Sequence, residues 1–205
     1  MHWVRGAFAQ KRGGALTQPS ADASQPGLVF AVPAAQVRHD SQMSPPVAID
    51  PDTLTWRWCR FDALSVFELQ NIYRARQQVF SLEQQCAYLD ADGYDEPAFH
   101  LAAWSPTQRV PLAYARLVDP GQKYAEPSIG RVITTDAARG CGLGRELVRR
   151  AIAHAAQAFP GQGIRISAQS RLEQFYAEVG FVAVGAPYLE DGIPHTEMLL
   201  PASPA

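Results

Sequence analysis

The sequence is short of the features that commit a chain to several common roles. Charge is sparse: 19% of the 205 residues are Asp, Glu, Lys or Arg, and the formal net charge is -2. The basic residues are dispersed rather than gathered into a stripe, so the footprint of a nucleic-acid or anionic-membrane partner is missing. Only three cysteines occur, Cys59, Cys86 and Cys141. They have no CxxC spacing and cannot all pair, which argues against a disulfide framework and a zinc site and points to a reducing compartment. No metal is expected. No apolar run reaches the roughly 18 residues that a membrane span needs. The opening MHWVRGAFAQKRGG holds no signal-peptide core. It is basic and acid-poor, as an organelle-targeting peptide would be, and the default expectation is the cytoplasm.

The first 50 residues also lack any sustained period. They are rich in Ala, Pro, Ser and Gln, and such a segment buries too little to offset the entropy of ordering it. A disordered tail is expected over 1–50, with a short second tail, PASPA, over 201–205. Met43 stands just ahead of the patterned region and is a second candidate start. One domain is expected over 54–200.

Within that domain the patterns alternate regularly. LTWRWCRF reads as a strand. SVFELQNIYRARQQVF reads as an amphipathic helix with Val66, Leu69, Ile72, Tyr73 and Val79 on one side. SLEQQCAYLDADGYDEPA is polar and turn-rich, and FHLAAW and PLAYARLV form a hairpin. PSIGRVITT is a further strand, followed by a long helix from Gly142 to Phe159, the strand GIRISA, and the helix SRLEQFYAEVG closed by Gly180. A final hairpin turns at Asp191-Gly192, two residues that tolerate positive φ. The order β-α-β-β-β-α-β-α-β-β implies an α/β domain. DADGYDE invites a calcium reading, but Tyr94 and Asp95 fall where an EF-hand needs an acid or Asn and then Gly. A loop shaping an acceptor pocket, or a plain solvated turn, remains.

The most specific stretch is RGCGLG, Arg139 to Gly144, between a strand and a helix start. A helix start carries unpaired N–H groups and a partial positive charge. Gly140, Gly142 and Gly144 remove side chains that would keep an anion from those amides, which is the design of a phosphate cradle. The spacing fits neither a P-loop, since no Lys follows, nor a dinucleotide fingerprint, whose third glycine position is Arg145. Cys141 reads as a loop filler rather than a nucleophile.

The R-x-x-G-x-G of this loop, together with the later QSRLEQFYAEVGF, resembles the GNAT superfamily of acyl-CoA-dependent N-acyltransferases. A narrower similarity, to the ElaA-like subgroup, rests on RARQQVFSLEQQCAYLDADGYD, HLAAW, AYARL and YLEDGIPHTEM. The resemblance covers about Leu54 to Leu200. It implies a GNAT-type mixed, mostly antiparallel central sheet with flanking helices, and acetyl-CoA as co-substrate. The loop amides, from Arg139 through Gly140, Cys141, Gly142, Leu143 and Gly144 to Arg145, would then hold the CoA pyrophosphate. Backbone groups of Ile133 and Thr134 would pair with the pantetheine arm beside a splay in the sheet. Gln169 stands where the family often has Asn, a departure confined to that one contact. Tyr176 matches the tyrosine commonly found near the CoA sulfur.

Direct acetyl transfer to an amine requires a positioned thioester, loss of an ammonium proton, a stabilised oxyanion and protonation of the departing thiolate. The resemblance makes Tyr176 the candidate acid. Glu83, His100 and His195 are candidate bases; they read equally as a solvated loop residue, a hydrogen-bonded core histidine and a residue flanking the turn. YLEDGIPH reads either as a segment closing over the acceptor, with Glu190 and Asp191 attracting a cationic amine, or as a good hairpin turn and no more. The expected partners are a small-molecule or peptide amine and, at most, a second copy in a homodimer. Two rivals stand beside this reading: an acyl-homoserine-lactone-synthase-like acyltransferase, which the Arg74–Asp95 segment also resembles, and a CoA-binding module without catalysis.

Overall fold

The computed structural model describes residues 53–202; the expected tail over 1–50 and most of that over 201–205 lie outside them. Eight strands form one sheet: β1 (Thr55–Arg60), β2 (Ala98–Trp104), β3 (Ala113–Val118), β4 (Ser128–Thr134), β5 (Ile164–Gln169), β6 (Val182–Ala183), β7 (Tyr188–Glu190) and β8 (Ile193–Leu200). The helices are α1 (Val66–Gln77), α2 (Leu143–Ala158) and α3 (Glu173–Ala177). The strand order is β1-β2-β3-β4-β5-β8-β6, with β7 also on β8. Every pairing is antiparallel except β4 with β5. The mixed, mostly antiparallel sheet expected from the sequence is therefore present. No helix among the described residues is long and apolar enough to cross a membrane.

Strand alternation sorts side chains to two faces. Leu101, Ala113, Ala115, Leu117 and Ile129 pack with Leu143, Leu147, Val148 and Ala151 of α2 in one core. Ala102, Tyr114 and Ile133 pack with Ile72, Ala75 and Val79 in another, so α1 covers the opposite face. Helix α1 begins at a capping box: the Glu68 amide donates to Ser65 Oγ at 3.2 Å, and the Ser65 amide donates to Glu68 Oε2 at 2.8 Å. Val66, expected on its packed side, is 80% exposed. It precedes Ile72 by six residues, about 120° around the helix, and the stripe that is buried carries Ile72, Ala75, Arg76 and Val79. The helix does not stop at Phe80 either, since residues Gln78–Glu83 wind on as a π-helical turn.

The final hairpin differs in one respect. Its first arm is broken into β6 and β7, both on β8. Between them Gly185 has φ 95 and Pro187 has no N–H to give the ladder. The turn itself is as expected: Asp191 and Gly192 have φ 51 and 77 and join the paired residues Glu190 and Ile193.

The geometry that matters most lies at β4. Its parallel pairing with β5 is confined to Ser128 opposite Arg165. Beyond that pair the strands part, so the opening begins well before Ile133 and Thr134. On its other edge β4 is bulged: Tyr114 pairs with Ile133 but Arg116 pairs with Gly130, so Arg131 and Val132 together face Ala115.

Candidate active site

Past Thr134 the chain makes a 3-10 turn over Asp136–Ala138 and reaches the glycine loop. Gly142 is the N-cap of α2 with φ 83, and Gly140 has φ 79. These are left-handed values that glycine adopts without strain. No atom lies within 4 Å of a Cβ added at either, so backbone conformation rather than lack of space requires the glycines. Gly144 differs: its φ is ordinary, and a Cβ there would stand 3.6 Å from Thr134 Cγ2. No side chain caps α2. Among the described residues the amides of Gly140, Cys141 and Gly142 make no backbone hydrogen bond. Gly140 and Gly142 border a cavity of about 270 Å³, to which Thr134, Arg139, Leu143, Gly144 and Arg145 also contribute. Free amides at a helix start, with no side chain over them, suit an anion. Cys141 instead turns its thiol to the Ala138 carbonyl oxygen at 3.1 Å.

A second cavity of about 420 Å³ occupies the space where β4 and β5 separate. Gly130, Arg131 and Val132 line one side, Ser167 and Gln169 the other, and Tyr176 of α3 reaches it from the α2 face. Tyr176 is 7% exposed, with Phe175 and Phe181 edge-on to its ring. Burial alone drives its phenol pKa upward, so the proton stays on the oxygen, and its hydroxyl makes no hydrogen bond to a described residue. The Gln169 amide donates to Gln84 Oε1 at 3.0 Å. His195 lines the same cavity, opposite Gln169 on β5 and Tyr188 on β7. Its Nδ1–H donates to the Ile193 carbonyl at 2.9 Å. A carbonyl only accepts, so in the neutral ring Nε2 is the nitrogen left to take a proton.

The other two candidate bases lie elsewhere. His100 is 1% exposed in β2 and lines neither cavity. The Tyr114 hydroxyl donates to its Nδ1 at 2.8 Å, and its Nε2–H donates to the Asp95 carbonyl at 3.0 Å. Burial holds its pKa below the ordinary histidine value. Both nitrogens are spent, and this is the core histidine of the alternative reading. Glu83 ends the π-helical turn and pairs with Arg139 of the glycine loop, which also reaches the Thr134 carbonyl. It is a solvated residue at the end of a helical turn rather than in a loop, and it lines neither cavity. Ile133 is 3% exposed under α1 and lines neither cavity, whereas Thr134 borders the smaller one.

The sequence reading missed what lies under the other wall of the cavity. Three arginines and three aspartates form one cluster. Arg76 reaches Asp90 at 2.9 Å and Asp95 at 2.7 Å; Arg116 reaches Asp92 at 2.6 Å and Asp95 at 2.9 Å; Arg131 reaches Asp90 at 2.8 Å and Asp92 at 2.9 Å. DADGYDE is thus an ion-paired loop, neither a calcium site nor a solvated turn. Burial works to raise the Asp92 pKa, but the hydrogen bond and charge of Arg116, with the charge of Arg131, outweigh it and bring it to about 2. Asp95 is likewise lowered by Arg76 and Arg116 against its burial. Arginines inside otherwise apolar patterns, at 76 and 116, were the available signal, because such a residue stays buried only when paired.

Residues 77–201 match the family described as the Acetyltransferase (GNAT) domain. The chain is 43% identical over 151 residues to a UPF0039 protein of Synechocystis, covering 74% of this chain and 97% of that protein. An acyl-CoA N-acyltransferase of Pseudomonas aeruginosa, seen in a crystal structure, superposes with a TM-score of 0.68 at 40% identity, covering 71% of this chain and 98% of that one. Escherichia coli ElaA does so with a TM-score of 0.67 at 32% identity and the same coverage. A CoA-dependent acyl-homoserine lactone synthase is alike in fold, with a TM-score of 0.58 at 16% identity.

Proposed function

The chain belongs to the GNAT acetyltransferase family, and from that premise we propose that it moves an acetyl group from acetyl-CoA directly to an amine acceptor in a ternary complex. One observation carries this reading: strand β4 and helix α3 border both cavities. Thr134 and Phe175 line the glycine cradle, while Val132 and Tyr176 line the cleft. A donor whose pyrophosphate sits on the free amides of Gly140–Gly142 would lie along β4 with its reactive end at Tyr176. Acetyl-CoA supplies the activated acetyl group as a thioester.

The remaining chemistry falls to residues of this chain. The unbonded Tyr176 hydroxyl is placed to give its proton to the departing sulfur. His195, through Nε2, is placed to take the proton of the amine, directly or through one water. Acceptor selection follows from charge. The arginines of the cavity wall are neutralised by their aspartates, whereas Glu190 receives only the hydroxyls of Ser167 and Tyr188, at 3.0 and 3.4 Å. Glu190 and Asp191 both line the cavity, and with no cation bound to Glu190 among the described residues they favour a cationic small-molecule or peptide amine.

Titration calorimetry of the purified protein with acetyl-CoA is the first test, and heat that fails to saturate at high micromolar ligand overturns the reading. Release of free CoA against a panel of amines then separates an enzyme from a CoA-binding module, and an acyl-carrier donor offered beside acetyl-CoA separates it from a synthase-like enzyme. His195→Gln should lower turnover with every accepted amine while leaving the affinity for acetyl-CoA unchanged.

A further inference from the structure

The bulge in β4 puts a left-handed backbone in an unexpected place. Arg131 has φ 52, a conformation that a residue with a Cβ rarely adopts. Its neighbour Gly130 would adopt it freely and has open space around it, yet Gly130 is not at positive φ. Backbone preference alone would place the left-handed residue one position earlier. The side chain of Arg131 explains the choice. Its Nε donates to Asp90 Oδ1 at 2.8 Å, and its Nη2 donates to the Asp90 carbonyl at 3.2 Å and to Asp92 Oδ2 at 2.9 Å. Both aspartates are fixed in turn, Asp90 by Arg76, which is 0% exposed, and Asp92 by Arg116, which is 2% exposed.

We propose that Arg131 is a positioning residue for acyl transfer: anchored to Asp90 and Asp92, it fixes the left-handed bulge and thereby sets the backbone of Gly130–Val132 that lines the cleft. This rests on the transfer reaction proposed above. The consequence is mechanical coupling. The 90–95 loop and strand β4 are one ion-paired unit, so the reacting groups are aligned by side chains whose hydrogen bonds go to one another. Misplacement on this scale acts on alignment in the reacting complex more than on donor affinity.

The test compares wild type with Arg131→Gly, Arg131→Lys and Asp92→Asn. Arg131→Gly permits the positive φ but removes the anchor. It should lower kcat by about tenfold or more while the Kd for CoA stays within about threefold, and amide exchange should quicken at 130–133 and 88–95 but not in β2. Arg131→Lys, which keeps the charge with fewer attachments, should recover part of the loss. If Arg131→Gly does not fold, Asp92→Asn, whose side chain is 23% exposed, should give the same pattern with a smaller loss. Wild-type kcat in the folded variant, or kcat and CoA affinity falling by one common factor, overturns the proposal. Should wild type transfer no acetyl group, the proposed reaction fails by itself; exchange at 130–133 then decides the anchoring, and exchange unchanged from wild type in the variants overturns it.

Discussion

The glycine cradle and the wall of the cleft offer different chemistry to a ligand. On the α2 side the contacts are backbone: free amides at Gly140–Gly142, held in left-handed turns, with an exposed pair, Arg139 and Glu83, at the rim. On the side of the 90–95 loop the contacts are side chains, and the charges are buried or half-buried and paired among Arg76, Arg116, Arg131 and the three aspartates. The first arrangement leaves hydrogen-bonding capacity over for a ligand; the second uses its capacity internally and yields a rigid wall. The difference separates a surface with free hydrogen-bonding groups from one whose charges are already paired.

Breaking the rigid wall should have the largest effect. Arg76→Met leaves Asp90 and Asp95 short of a buried partner, and loss of one member of a buried ion pair costs about 3–5 kcal/mol. In a domain of this size that corresponds to a Tm lower by roughly 10 °C, read by calorimetry. Tyr176→Phe should leave stability and CoA affinity nearly unchanged and reduce kcat about a hundredfold, the lower range for loss of a general acid; an unchanged rate removes its role. Acid sharpens the contrast further. The Asp92 carboxyl lies at about 2 in the folded protein against an ordinary 3.8, so the stability it adds is complete above about pH 4 and lost as pH falls toward 2. That contribution is about 2 kcal/mol, and urea titrations at pH 4.5 and 2.5 should show it in wild type and not in Asp92→Asn. The smallest effect belongs to the open wall. Gly142→Ala forces a Cβ into a left-handed turn at about 1–2 kcal/mol, and CoA should bind about tenfold more weakly by calorimetry while Gly144→Ala changes affinity less.

Much of the fold was legible because local chemistry declared it. The glycines of RGCGLG, the Asp191-Gly192 turn and the apolar rows of α2 each carry their structure in adjacent residues. What was misread shares another property. The split of β6 from β7, the exposure of Val66 and the π-helical turn at Gln78–Glu83 depend on what packs opposite. The bulge shifts the facing of β4, so Arg131 joins Asp90 on the α1 face although plain alternation puts it with Ile129. His100 and His195 could not be ranked from sequence, since a histidine in a strand looks the same whether Tyr114 and Asp95 or an open cavity lies before it.

The sequence by itself determined the order of elements and the left-handed glycine turns ahead of α2, because caps, turns and glycine conformations depend on neighbours a few residues away. Only the tertiary structure decided which side chains meet beside and beneath the cleft. Arg76, Asp92, Arg116 and Arg131 come from a helix, a loop and two strands, and their charges become one cluster only when burial removes the water that would otherwise solvate each alone.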